Sequence, residues 1–170
     1  VVVLEGSGNT NHTIVSMEFS THARVSNFVI DGNRSGQSGG FMRGIDLSDA
    51  ATSSVDSMIV RDVNFYGLYA QHSGSNGRNV HITNNFVENS VRNIYLESVE
   101  EYIIANNTVT DGTRGIYIDG VGSERVVISA NHTSNPPTPP NAAPNGTMAP
   151  VEASSNTSAS ISTPKAAPPA

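Results

Sequence analysis

Apolar and polar residues along this chain alternate in short bursts, and the bursts fall into two families. The first comprises Val25–Ile30, Met58–Val63, Val80–Ile82, Tyr102–Ile104 and Val126–Ile128. The second opens on glycine or asparagine: Gly44-Ile45-Asp46-Leu47, Gly67-Leu68-Tyr69-Ala70, Asn93-Ile94-Tyr95-Leu96 and Gly115-Ile116-Tyr117-Ile118. Each burst runs three to six residues, is rich in β-branched or aromatic side chains, alternates with period two and is bounded by turn formers. That pattern predicts short strands. No stretch carries a capped apolar stripe of helical period, so no helix is expected.

The bursts also repeat. Val80-His81-Ile82-Thr83-Asn84-Asn85-Phe86-Val87 returns as Tyr102-Ile103-Ile104-Ala105-Asn106-Asn107-Thr108-Val109, a shift of 22. It returns again as Val126-Val127-Ile128-Ser129-Ala130-Asn131-His132-Thr133, a shift of 24. Self-similarity at this period marks a stacked architecture in which each copy buries its apolar face only against its neighbours. Two or three short strands per copy predict an all-β fold, a parallel β-helix (a solenoid) of about five coils. Registering the copies places Met58, Val80, Tyr102 and Val126 in one inward column and Val60, Ile82, Ile104 and Ile128 in another. The second family gives Ile45, Leu68, Ile94 and Ile116 inward, then Leu47, Ala70, Leu96 and Ile118. A longer step between Ile30 and Val60 contains Gly32–Gly40, read as an insertion at a turn. Asn85, Asn107 and Asn131 fall at one turn, where inward amides are expected to bond one another along the stack. Open sheet edges at the ends of such a rod call for caps, and further coils are expected ahead of Val1.

Composition divides the chain in two. All nine prolines lie beyond Ser134, in a segment of mostly Pro, Ala, Ser, Thr and Asn. Such a segment buries too little apolar surface to offset ordering entropy, so 134–170 is predicted to be a disordered linker or tail and 1–133 the folded domain. The single acid and single base of the tail cancel, so the net charge of −6 belongs to the folded part. A mildly acidic surface without a basic block argues against nucleic acid and anionic membrane, and no apolar run is long enough to insert into a bilayer. Cysteine is absent, which excludes disulfides and thiolate metal sites.

The Asn-Val-x-Ile-x-Asn-Asn unit at Asn79–Asn85 and the Gly-Ile-Tyr-Ile unit at Gly115–Ile118 resemble right-handed parallel β-helix repeats of the pectate-lyase-like superfamily. Val25-Ser26-Asn27-Phe28-Val29-Ile30-Asp31-Gly32-Asn33 is similar to a coil common early in such domains. The resemblance implies a right-handed solenoid over about residues 20–133, and it is specific for fold rather than reaction. It implies a secreted or cell-surface location, with a polysaccharide or cell-surface glycan as partner and homo-oligomers as in tailspikes. Motifs of the catalytic branches do not carry over. Gln71-His72-Ser73-Gly74 lacks the flanking pattern of polygalacturonases, and no proline precedes residue 136 to form an alginate-epimerase motif.

Candidate chemistry lies on the outer face of the second strand family. Alternation stacks Asp46, Tyr69, Tyr95 and Tyr117 in one ladder and Ser48, Gln71, Glu97 and Asp119 in a second, and, once a turn is allowed for, Arg43, Tyr66, Arg92 and Arg114 form a third. Tyr69, Tyr95 and Tyr117, with Asp46 and His72, are candidate substrate contacts, the rings offering flat platforms for sugars and the arginines pairing with uronate carboxylates. Glu97 and Asp119, roughly 5 Å apart by strand spacing, are the candidate carboxylate pair of a glycosidase, with Arg92 and Arg114 beside them. The five histidines are expected to fall in separate coils, so no metal site is expected of them. No cofactor is expected; Asp46, Asp49 and Asp62 make a loose calcium candidate. The function read from the chain is therefore an extracellular or cell-envelope module contacting polysaccharide. Its rivals are a polysaccharide lyase or glycoside hydrolase, and a purely structural surface protein.

Overall fold

The computed structural model describes residues 2–3, 11–37, 39–73, 77–119, 123–134 and 159–161. Strand β1 (Val2–Val3) precedes five coils of three strands each. The coils are β2 (His12–Ser16), β3 (Arg24–Ser26) and β4 (Val29–Asp31); β5 (Met42–Asp46), β6 (Ser54–Asp56) and β7 (Ile59–Arg61); and β8 (Tyr66–Gln71), β9 (Arg78–Thr83) and β10 (Phe86–Glu88). Then come β11 (Arg92–Glu97), β12 (Glu100–Ala105) and β13 (Thr108–Thr110), and β14 (Arg114–Asp119), β15 (Val126–Ser129) and β16 (His132–Ser134). A last strand, β17 (Ala159–Ile161), comes from far down the chain. Like strands of successive coils stack into three sheets: β14-β11-β8-β5-β2, β17-β15-β12-β9-β6-β3, and β1-β4-β7-β10-β13-β16. Pairing between coils is parallel throughout, and only β17 runs antiparallel, on β15. This is the right-handed parallel β-helix expected. Among the described residues the only helical element is a 3₁₀ turn at Arg34–Gly36, inside the glycine-rich insertion.

One apolar column from each sheet fills the interior. In the first sheet Ile45, Leu68, Ile94 and Ile116 stand in register and are at most 1% exposed. The second sheet contributes Val55, Ile82, Ile104 and Ile128, and the third Ile30, Val60, Val87 and Val109. Each buried branched side chain contributes roughly 1.5–3 kcal/mol, and only the stack brings them together.

The expected register of the first strand family is corrected here. Val60 pairs with Val87, not Ile82, whose partner in that coil is Val55. Val25–Ile30 and Met58–Val63 each run across a corner, so there are three strands per coil where the sequence pattern separates two. Strands β4, β7, β10 and β13 each bury a single side chain, too few to display a period of two.

The corners turn on left-handed residues. Entering the second sheet, His22, Thr52, Asn79, Glu101 and Arg125 have φ from 49 to 58°. Entering the third, Asn27, Ser57, Asn84, Asn106 and Ala130 have φ from 51 to 61°. Asparagine tolerates this region better than most residues. The doubled asparagine thus splits its work: the first residue makes the corner and the second points inward. Asn85 Nδ2 donates to Asn107 Oδ1 (2.9 Å), and Asn107 Nδ2 donates to Asn131 Oδ1 (2.9 Å). The same oxygens accept the backbone N–H of Asn85 and Asn107, and the amides of Asn85, Asn107 and Asn131 also donate to the carbonyls of Val55, Ile82 and Ile104.

The expectation of a disordered tail falls on residues outside the described set, apart from Ser134 in β16 and the three residues of β17. Strand β17 covers the outermost edge of the second sheet, pairing Val126 with Ile161 and Ile128 with Ala159.

Candidate functional site

The first sheet carries the three outer ladders in the register expected. Asp46, Tyr69, Tyr95 and Tyr117 are successive partners, as are Arg43, Tyr66, Arg92 and Arg114, and Gln71, Glu97 and Asp119. Period two therefore placed the tyrosine and carboxylate ladders on the correct face. The arginines, an odd number of residues before the tyrosines, share it because two successive residues between them, such as Asn93 and Ile94, are both buried. Period two did not place the rings in solvent. Tyr69, Tyr95 and Tyr117 are only 5%, 5% and 9% exposed.

Two contacts close over the rings. Tyr69 and Tyr95 stack with centroids 5.9 Å apart, and Tyr95 and Tyr117 at 5.5 Å, both pairs within 7° of parallel. Above them lie guanidiniums, those over Tyr95 and Tyr117 from three residues earlier on the same strands and that over Tyr69 from the neighbouring strand β5. Arg43 sits 4.2 Å from the Tyr69 centroid, Arg92 4.5 Å from Tyr95 and Arg114 4.2 Å from Tyr117. Tyr66 occupies the arginine place of its coil and stacks on both Tyr69 and Tyr95, at 4.7 and 4.9 Å. Offset stacking and cation–π attraction both favour this layering. The expectation of open ring platforms is corrected: what meets solvent is a row of guanidiniums on an aromatic bed.

The phenol ends are tied as well. Tyr69 Oη donates to Gln71 Oε1 (2.8 Å), and Tyr95 Oη donates to Asp119 Oδ2 (2.9 Å). Burial pushes the Tyr69 phenol up to about 12, and burial together with the Asp119 carboxylate pushes Tyr95 further above its ordinary value. Both phenols are thus donors at neutral pH. Asp46 is spent differently. It is 1% exposed, takes Arg43 Nη1 at 2.5 Å, and accepts the backbone N–H and hydroxyl of Ser48.

Arg92 and Arg114 have no such counter-ion among the described residues. Among the described residues the ion pairs involve Arg24, Arg43, Arg61, Arg78 and Arg125. Arg92 donates instead to Tyr66 Oη (2.9 Å). These two arginines are direct partners across adjacent strands, an arrangement of like charges that destabilises a sheet unless something offsets it.

The candidate catalytic four are split by the tyrosine layer. Glu97 and Asp119 are adjacent partners, but each lies five residues beyond its strand's arginine, about 16 Å along an extended chain. His72 leaves the face altogether. Its ring turns into the corner against the fully buried Tyr102, edge-on with centroids 5.8 Å apart and Nε2 3.4 Å from the phenol oxygen. A Cβ at Gly77 would fall 1.5 Å from that ring, so glycine there keeps the space open. Asp49, also near, is held by the N–H and hydroxyl of Ser73. The calcium candidate dissolves: Asp46 and Asp49 are engaged as described and Asp62 accepts from Asn89, on another corner.

Burial holds the His72 pKa below its ordinary 6.5, against the opposing pull of Asp49 and Glu100 and helped by Arg78. The unfolded chain then binds more protons than the folded one between the two values, so stability rises with pH there. The contribution of neutral His72 is complete above about pH 6.5 and is lost as the pH falls toward its folded pKa. Urea denaturation across this range is expected to show a shallower pH slope in His72→Gln. An unchanged slope would mean that His72 is not the group responsible.

One opening borders the ladder. A cleft of about 350 Å³ is lined by Asn11, His12, Thr13, Phe41, Arg43, Phe65, Tyr66 and Tyr69. Phe41 is 54% exposed and meets Phe65 edge-on at 4.4 Å, which meets Tyr66 at 4.2 Å. Sequence reasoning missed both phenylalanines. They precede the arginine ladder at its corner, and one more column in the register, with Phe65 above Val91, would have included Phe65.

Among the described residues, no three His, Cys, Asp or Glu side chains are grouped to hold a metal ion. No described helix is long and apolar enough to cross a membrane. A family model described as "Periplasmic copper-binding protein (NosD)" matches residues 2–140. No curated protein and no solved structure matches the chain.

Proposed function

Because the chain belongs to the NosD family, described as periplasmic copper-binding proteins, we propose that it is a periplasmic or extracellular β-helix module that contacts anionic polysaccharide through its first sheet. The observation that carries this reading is the pair Arg92 and Arg114, aligned on adjacent strands without a carboxylate partner among the described residues. In the second coil the same arginine position is neutralised, because Asp46 stands where the later coils have tyrosine. The fourth and fifth coils keep the charge and, among the described residues, drop the counter-ion. A glycan carboxylate or sulfate would restore it through charge-assisted hydrogen bonds. The exposed rings of the Phe41 cleft would take the apolar face of a sugar. The described side chains do not make a copper site.

A second reading rests on the adjacency of Glu97 and Asp119. If those carboxylates act on a glycosidic bond, product should accumulate from a bound polymer and stop in Glu97→Gln. The test is a panel of uronate, sulfated and neutral polysaccharides against the purified chain, with binding and product followed together. Binding to anionic polymers that weakens steeply with salt is expected, and none to neutral ones. Equal affinity for neutral polymers, or none for any, would sink the proposal.

A further inference from the structure

We infer that the coils of this chain contain no resident copper site, so the property named in the family description is not carried by this β-helix. Protein copper is held by imidazole, thiolate and thioether, softer donors being favoured by the reduced ion. The chain has no cysteine. It has five histidines, and all of them lie within the described residues.

Those five fall in three coils, not five separate ones as expected, but are dispersed over three sheets and their corners. His12 opens the first sheet in the first coil, and His22 forms a left-handed corner of the same coil. His72 is packed on Tyr102 in the third coil. His81 points outward from β9, between the inward Val80 and Ile82, and His132 is exposed in the last coil on the third sheet. No two share a column.

Of the four methionines, three lie within the described residues. They meet a histidine at one point only: Met42 is the strand partner of His12. Its sulfur already accepts from Gln37 Nε2 at 3.2 Å, and two donors fall short of a resident copper site. Met17 stands level with Leu47 in the first sheet, while Met42 opens the strand before it, five residues away. That separation is about 16 Å along a strand. Met58 lies at the corner between the second and third sheets, where its sulfur takes the place of an asparagine in the ladder and faces the Phe28 N–H at 3.4 Å. These three are buried among aliphatic side chains. The inward positions that stack coil over coil, and could have gathered three donors, hold aliphatic residues and amides already bonded to one another. Only single-histidine contacts remain.

The test uses the full chain without substitution. Cu(II), and Cu(I) kept reduced, are titrated in competition with a chelator of micromolar affinity, with bound metal counted by mass spectrometry after desalting. The expected result is less than a tenth of an equivalent retained for either ion. Equimolar copper should also leave the unfolding temperature unchanged, since a ligand of the folded state would raise it. One equivalent retained per chain, in any oligomeric state, overturns the inference, and so does a copper-dependent rise in that temperature. Neither readout depends on whether the chain binds polysaccharide.

Discussion

Asn107→Ala is expected to lower the free energy of unfolding by about 2–5 kcal/mol, more than any substitution on the outer face. The side chain stands at the middle of the amide ladder. Its oxygen accepts from the backbone N–H and the amide of Asn85, and its nitrogen donates to Ile82 O and Asn131 Oδ1. Alanine would leave the buried Asn85 N–H and the Ile82 carbonyl without those partners. Each stranded buried group costs about 1–3 kcal/mol. The neighbouring Asn106→Ala is the control. Asn106 is an exposed left-handed corner, and Ala130 already fills that position one coil later. It should cost no more than about 1 kcal/mol, from conformational preference alone. Urea denaturation of the two variants separates corner from ladder. Equal losses would mean that the internal amide chain contributes nothing beyond its turn.

The sequence made the first sheet legible because its strands are long enough to alternate visibly. Six residues with Leu-Tyr-Ala, Ile-Tyr-Leu or Ile-Tyr-Ile at the centre fix which side faces in, and β8, β11 and β14 kept the register read from them. The third sheet was not legible for the same reason in reverse. A three-residue strand such as Ile59–Arg61 shows one buried side chain, and Val60 could be slid onto the wrong partner without breaking any alternation. The doubled asparagine was visible as a buried ladder, but the separate task of its first member emerges only from the backbone angles. Burial on the outer face was hidden too. Period two predicts which side a tyrosine leaves the sheet, but not that an arginine three residues earlier will fold over it. His72 turned inward because Gly77 leaves the room, a contact across a loop that no periodicity encodes. Strand β17 lies in a segment whose composition predicts no order, yet Ile161 meets Val126 at an open sheet edge.

The double variant Arg92→Gln, Arg114→Gln is expected to lose about 100-fold or more in affinity for anionic polysaccharide while unfolding at the same urea concentration or higher. A hydrogen bond to a charged partner contributes about 1.5–3 kcal/mol, and each 1.4 kcal/mol is roughly tenfold. Two such contacts therefore predict a loss of at least that order. The stability expectation has the opposite sign because the substitution removes like charges from directly opposed positions, offset in part by the lost cation–π contacts over Tyr95 and Tyr117. Tyr95→Ala is a poor substitute for this experiment. Tyr95 touches Tyr66, Tyr69, Tyr117, Arg92 and Asp119, so its removal collapses the bed on which the arginines rest, and lost binding would report structure as readily as contact. Glutamine keeps a long polar side chain over the rings and removes only the charge. If the double variant binds anionic polymers as the parent does, the arginine row is a packing device for the tyrosines and the polysaccharide reading fails at its central observation.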